Sequence, residues 1–296
     1  MNTEDSIPAC ANCGKGEENN GDLKACKACH MVKYCNRSCQ IAHRPLHKKA
    51  CKKRVAELHD EALFKEHPPR DDCPICFLPL PLETSEATFE SCCGKLICNG
   101  CIHAMILEAR GRGGEVGLCP FCRTPALTSE EERVKRVKKL MESGNAVAFF
   151  HMARIYETHG LPQDFAKATE LYLRAGELGC AEAYFNLGVA YYNGRGVEVN
   201  IRKSQHYYEL AAMNGNVKAR FNLGGMEFNA GNYHRAMKHF ILSARYGDKD
   251  SLDNVKKGYT NGIVTKDEYE ITLCAYQQRH DEMKSDDRDK AAAGER

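Results

Sequence analysis

Residues 181–197 read Ala181-Glu182-Ala183-Tyr184-Phe185-Asn186-Leu187-Gly188-Val189-Ala190-Tyr191-Tyr192-Asn193-Gly194-Arg195-Gly196-Val197. Ala183, Leu187, Gly188 and Tyr191 recur at helical spacing. The pattern repeats on both sides: Ala148-x3-Met152-Ala153-x2-Tyr156 lies 35 residues upstream, and Ala219-x3-Leu223-Gly224-x3-Phe228 lies 36 downstream. Each unit has a second helical pattern: Ala168-x3-Tyr172-x2-Ala175, Ser204-x3-Tyr208-x2-Ala211 and Ala236-x3-Phe240-x2-Ser243. Each second pattern ends near a glycine (Gly179, Gly215, Gly247), which suits the left-handed position after a helix. A fixed period of this length predicts stacked helix pairs, with Ala153, Gly188 and Gly224 letting partner helices approach closely. Tyr156, Tyr172, Tyr191 and Tyr208 read as core aromatics at these spacings.

Working outward, a capping segment is expected around Ser251–Tyr259 and a last helix near Lys266–Arg279. The charged, alanine-rich stretch 284–296 is expected to be disordered. Upstream, Thr128-Ser129-Glu130-Glu131-Glu132 offers a capping box for a linker helix over about 129–142. A helix with a basic start is expected over Arg44–Lys65, stopped by His67-Pro68-Pro69. A shorter one is expected over Ile102–Arg110, followed by the glycine-rich run Gly111–Gly114.

The front of the chain is written in cysteine. Of 17 cysteines, 15 lie in the first 122 residues. They stand as Cys10-x2-Cys13, Cys26-x2-Cys29, Cys35-x3-Cys39 and His47-x3-Cys51, then Cys73-x2-Cys76, Cys92-Cys93, Cys98-x2-Cys101 and Cys119-x2-Cys122. Zinc takes four ligands in a closed structural site, so these 16 residues predict four ions. Blocks of about 45–50 residues bury too little apolar surface to fold unaided. A structural zinc contributes roughly 10–16 kcal/mol in finger peptides and would replace the missing core. Disulfides are the rival use. The polar start Met1–Pro8 shows no apolar leader, and a reducing compartment, cytoplasmic or nuclear, favours metal. No apolar run is long enough to span a membrane. Counting the thiolates and the dications shifts the formal charge of +2 to about −5, which argues against broad nucleic-acid binding. Cys180 and Cys274, outside the blocks, read as small buried hydrophobes.

Residues 10–51 resemble the MYND zinc finger through these cysteines together with Tyr34, Gln40, Pro45 and His47-Lys48. The resemblance implies interleaved sites: Cys10, Cys13, Cys35 and Cys39 in one, and Cys26, Cys29, His47 and Cys51 in the other. It also implies docking of short proline-containing peptides. Arg44 stands where the family usually has tryptophan, and the chain has no Trp. The basic run Lys48–Arg54 reads as a solvated helix face, with a nucleic-acid patch as the alternative.

Residues 73–122 resemble a RING-type finger through Cys73-Pro74-Ile75-Cys76, Cys98-x2-Cys101-Ile102 and Cys119-Pro120-Phe121-Cys122-Arg123. The resemblance implies one site of Cys73, Cys76, Cys98 and Cys101, and a second containing Cys93, Cys119 and Cys122. Lys95 occupies the place of the usual histidine ligand and cannot bind zinc. Cys92 is the natural replacement, given a bend at Gly94, and His103 is the competing ligand. Such fingers hold a ubiquitin-conjugating enzyme and act by positioning rather than covalently. The implied docking residues are Ile75, Pro120 and Arg123, and no catalytic residue is expected.

Residues 146–259 resemble Sel-one-like repeats, relatives of tetratricopeptide repeats, best over Ala181–Gly215. The expectation is thus a mainly α protein: two small zinc-stabilised modules followed by a helix-hairpin solenoid. Its parts are a flexible tail (1–9), a MYND-like finger (10–51), a helical linker (52–72) and a RING-like finger (73–123). A linker helix (124–145), a capped solenoid (146–283) and a disordered tail (284–296) follow. The expected role is that of a RING-type ubiquitin-ligase-like protein. Its second finger would recruit the conjugating enzyme, and its repeats and first finger would bind protein substrates. A non-enzymatic zinc scaffold and a nucleic-acid-associated regulator are the alternatives.

Overall fold

A computed structural model describes residues 9–16, 23–66, 71–112, 117–158 and 161–294. The expected tail 1–9 (save Ala9), the stop at His67-Pro68-Pro69 and part of Gly111–Gly114 fall outside them. The chain divides into two compact units between Lys65 and Glu66. No described helix is long and apolar enough to cross a membrane.

The first unit is a two-stranded antiparallel ribbon, β1 (Lys24–Ala25) against β2 (Lys33–Tyr34), followed by α1 (Arg37–Leu63). The helix begins seven residues before the expected Arg44. Asn36 caps it, its side-chain oxygen accepting from Cys39 N–H at 2.9 Å. The helix then runs through Pro45. That proline deprives the Ile41 carbonyl of its helical donor, and Ile41 is exposed, so water can serve instead. The core is small and sulfur-rich: Cys10, Leu23, Cys26, Cys29 and Tyr34 are buried together. Lys48, Lys49, Lys52 and Lys53 are exposed, while Arg54 pairs with Glu57 and Glu61 along its own helix at 3.3 and 2.7 Å.

The second unit opens with a cysteine-rich module. The hairpin β3 (Ala87–Glu90) and β4 (Lys95–Cys98) registers Ala87 on Cys98 and Glu90 on Lys95. Its turn carries Cys92, Cys93 and Gly94, and Gly94 has φ of 71°. Helix α2 (Asn99–Gly111) follows directly, and Ile97, Cys73, Cys98 and Leu80 form the module's buried centre.

Helix α3 (Glu130–Glu142) leads into the solenoid. Ser129 caps it by accepting from Glu132 N–H at 3.2 Å, while the Glu132 carboxylate accepts from Thr128 N–H at 3.1 Å. The pairs are α4 (Ala146–Glu157) with α5 (Phe165–Glu177), α6 (Ala181–Asn193) with α7 (Ile201–Met213), and α8 (Val217–Asn229) with α9 (Tyr233–Arg245). Then come α10 (Lys249–Thr260) and α11 (Lys266–Met283). Five helices start on an Asn or Asp that accepts the third helical N–H: Asn145, Asp164, Asn200, Asn216 and Asp248, at 2.7–3.0 Å. Gly188 and Gly224 of the first helices each face an aromatic ring of the second, Tyr208 and Phe240. A Cβ built on Gly188 would lie 2.5 Å from the Tyr208 ring. Tyr172 and Tyr208 are buried, as core aromatics should be, and Tyr156 and Tyr191 are partly buried.

Two expectations are corrected. Asp286–Ala293 is not a disordered stretch but a helix, α12, packed on α2. Cys274 is exposed on α11 rather than buried, because the helix turns Ile271, Leu273 and Cys274 outward together.

Candidate metal centres

Four of the five Cys-x2-Cys pairs are built alike, as knuckles, whereas Cys98-x2-Cys101 opens α2. The carbonyl of the first cysteine accepts from the N–H four residues on: Gly14 to Cys10, His30 to Cys26, Phe77 to Cys73 and Arg123 to Cys119, at 2.9–3.0 Å. The donor residue takes a left-handed conformation each time, with φ of 72° at Gly14, 56° at His30, 58° at Phe77 and 61° at Arg123. His30, Phe77 and Arg123 are the non-glycine residues with positive φ among those described. Such strain costs of order 1 kcal/mol each and persists where something over-determines the turn. Here the cause is the need to aim two sulfurs at one point.

The knuckles and their partners converge into four groups whose ligand atoms lie within 4.8 Å of one another. In the first unit these are Cys10, Cys13, Cys35 and Cys39, and Cys26, Cys29, His47 and Cys51. In the second they are Cys73, Cys76, Cys98 and Cys101, and Cys92, Cys93, Cys119 and Cys122. Cys92 stands in the fourth group and His103 does not. Both modules are cross-braced: ligands of the two sites alternate along the chain, so each site ties distant segments.

The donor set fits zinc. A tetrahedron with Zn–S of about 2.3 Å has edges of about 3.8 Å. The sulfur pairs Cys13–Cys35, Cys35–Cys39 and Cys26–Cys51 stand 3.7, 3.6 and 3.9 Å apart. Cys73–Cys101, Cys76–Cys98, Cys93–Cys119 and Cys92–Cys122 stand at 3.8, 3.8, 3.9 and 3.4 Å. The His47 Nε2 lies 3.2 Å from the Cys29 sulfur. None of these pairs is at disulfide-bond distance.

Thiol acidity is split within every group. Burial pushes Cys10 and Cys26 up, but hydrogen bonds from backbone amides outweigh it and bring both down to about 6. Cys73 and Cys122 come down to about 7 and about 6 by the same contest, with the Thr124 hydroxyl and amide helping Cys122. Each group also holds a thiol pushed up. Cys35 rises to about 12 through its contact with Cys39, and burial raises Cys51 and Cys93 to about 11. Burial likewise raises Cys92, Cys98 and Cys101. A group with one ready thiolate and others still protonated binds a cation and releases protons as it does so.

The expected docking residues are dispersed. Ile75 is half-buried against the module's centre. Pro120 lines a groove of about 680 Å³ together with Ile102, Met105, Ile106, Arg133 and Arg136, and Ile75 is not among its walls. Arg123 is exposed, with its guanidinium 3.9 Å from the Met105 sulfur. Cys180 is buried, and desolvation pushes its thiol up to about 12, so it is an unreactive core residue. The left-handed turns went unread in the sequence. Only Gly14, directly after Cys13, is a residue type that favours such a turn; His30, Phe77 and Arg123 carry no local signal of it.

Comparison with known proteins matches residues 10–51 to the MYND finger and residues 147–180, 181–216 and 217–248 to the Sel1 repeat. The chain therefore carries a zinc-finger module and three solenoid repeats, both of them protein-interaction modules. A sel1-like repeat-containing protein of Acanthamoeba polyphaga mimivirus is 37% identical over 62 residues, covering 21% of this chain and 12% of that protein. The ERAD-associated E3 ubiquitin-protein ligase component HRD3A of Arabidopsis thaliana is 30% identical over 112 residues, covering 36% of this chain and 16% of that protein. The chain thus spans less than a fifth of either relative. A protective antigen with an SLR fold from uropathogenic Escherichia coli superposes at a TM-score of 0.46, with 25% identity over 53% of this chain and 35% of that one. A Sel1 repeat protein from Oxalobacter formigenes superposes at 0.45, with 20% identity over 61% of this chain and 71% of that one.

Proposed function

We propose that the chain is a RING-type ubiquitin-ligase-like protein holding four zinc ions. In this reading residues 73–123 are the RING-like finger, which recruits a ubiquitin-conjugating enzyme. The Sel1 repeats and the MYND finger bind the protein to be modified, and a short peptide is the ligand for the finger. A reducing compartment, cytoplasm or nucleus, keeps the thiols available to metal.

The observation that carries this reading is the cross-brace of the second module. Two four-cysteine groups alternate along the chain and flank α2, leaving Pro120 on a groove beside α2 and Arg123 at the tip of the last knuckle. Zinc here would be structural: four protein ligands leave no open position for water. The module's own residues would do the positioning. Pro120, Met105 and Ile106 offer an apolar floor, and Arg123 offers a guanidinium that reaches carbonyls of a bound partner. The Arabidopsis relative is itself a ubiquitin-ligase component, which agrees in kind.

A zinc scaffold without ligase activity is the second reading. It is favoured by Ile75, which is half-buried and apart from the groove that holds Pro120. Incubating the zinc-loaded protein with ubiquitin, activating enzyme and a panel of conjugating enzymes tests the choice. The ligase reading expects chain formation that falls at least ~10-fold in Ile75→Ala and Arg123→Ala, since each removes a positioning contact. Silence across the panel with zinc fully loaded leaves the scaffold.

A further inference from the structure

The C-terminal helix α12 ends its approach to the cysteine-rich module with one side chain, Arg288. Its Nη1 donates to the carbonyls of Pro79 at 2.8 Å and Met283 at 3.0 Å. Its Nη2 faces the Cys76 sulfur at 3.6 Å and the Leu78 carbonyl at 3.4 Å. One guanidinium thus joins the last carbonyl of α11, the backbone just past the first knuckle of this module and a cysteine of the third ligand group. The approach is close at the backbone as well. A Cβ on Gly100 would lie 2.8 Å from both the Arg288 N and its Cγ. Gly100 is the second residue of α2, between Cys98 and Cys101. Its lack of a side chain is what admits α12. The Ser285 hydroxyl accepts from Arg288 N–H at 3.2 Å and fixes where the helix starts.

We propose that α12 is a clasp on the first metal site of the second module, with Arg288 as the positioning residue that retains the ion. Four thiolates around one zinc carry a net charge of −2. A guanidinium beside them offsets half of that charge and donates to a sulfur that would otherwise be open to a proton or a competing chelator. The clasp also holds the knuckle that carries Ile75 and reaches it from a point 212 residues away in sequence. The inference rests on the reading that Cys73, Cys76, Cys98 and Cys101 bind zinc.

The test uses the full-length zinc-loaded protein. Native mass spectrometry gives the zinc count, and transfer to 4-(2-pyridylazo)resorcinol gives the release rates. The zinc missing from Cys76→Ser identifies the site. In Arg288→Ala one zinc per chain is expected to leave at least ~10-fold faster while the others keep their rates. Gly100→Val, which displaces the helix but keeps the arginine, is expected to do the same. Arg288→Lys, which keeps the charge and loses the fork, falls between. Rates unchanged in both Arg288→Ala and Gly100→Val overturn the clasp, as does equal acceleration of every zinc. A Cys76→Ser variant with an undiminished zinc count overturns the underlying zinc reading as well.

Discussion

His151 shows how one side chain can report the state of a contact. It lies on α4 and stacks on Phe89 of β3, with centroids 4.0 Å apart and planes 11° from parallel. Burial, then the charges of Arg154 and Arg133, lower its pKa from 6.5 to about 3. The imidazole is therefore neutral in the folded chain and takes up a proton only on unfolding. The sign follows: its contribution is complete above about pH 6.5 and is lost as pH falls toward 3, by up to about 1.4 kcal/mol per unit. His151→Phe keeps the stack and removes the proton. Urea unfolding at pH 7.5 and 5.5 should show the wild type losing about 1.4 kcal/mol more than the variant. Equal losses in the two proteins would contradict the assignment. The His-Phe stack was not readable in sequence, because it joins residues 62 positions apart whose side chains carry no pattern of their own.

At the scale of elements, the repeat helices were legible because spacing and chemistry agree there. The expected pairs appear with Asn and Asp caps, and the close approach at Gly188 was visible as a small residue in register with Ala153 and Gly224. That approach makes Gly188→Val a sharp probe. The new branches would meet the Tyr208 ring, and neither helix can move without disturbing the next pair. Overpacking of this kind costs about 1–3 kcal/mol. A thermal melt should show Gly188→Val well below wild type, with Gly188→Ala between, because alanine's better helix propensity offsets part of the clash. The four ligand groups were legible for a related reason, since cysteine pairs in loops have few other uses in a reducing compartment. Helix α12 was not legible. Its eight residues, Asp286–Ala293, have no apolar face, and a short charged segment reads as solvated. It is held by one arginine and by the absence of a side chain at Gly100, neither of which is a local signal. The early start of α1 was missed because its cap, Asn36, stands among the metal-ligand cysteines, and Pro45 is carried inside the helix.

At the scale of the molecule, two different forces order the chain. The solenoid is held by apolar burial that needs no metal: Ala153, Tyr172 and Leu187 in one cluster, and Phe240, Met237 and Val255 in another, are almost inaccessible to solvent. The cysteine modules have cores made largely of their own ligands, as Cys10, Cys26 and Cys29 show in the first unit. Stripping the metal should therefore divide the protein rather than unfold it in one step. With a strong chelator, far-ultraviolet circular dichroism should keep most of its helical signal, because α4 to α11 remain packed. Hydrogen exchange should separate the two classes by residue. Amides of the knuckles, such as Gly14, Phe77 and Arg123, should lose protection within the dead time, since the ligand convergence that justifies their left-handed turns is gone. Amides of Leu187 and Leu223 should stay protected. Residues 286–293 should follow the knuckles and not the solenoid, although they continue directly from α11, because their packing partner is α2. Loss of solenoid protection in the same transition would mean that its helices depend on the metal modules for stability, and the division of forces argued here would fail.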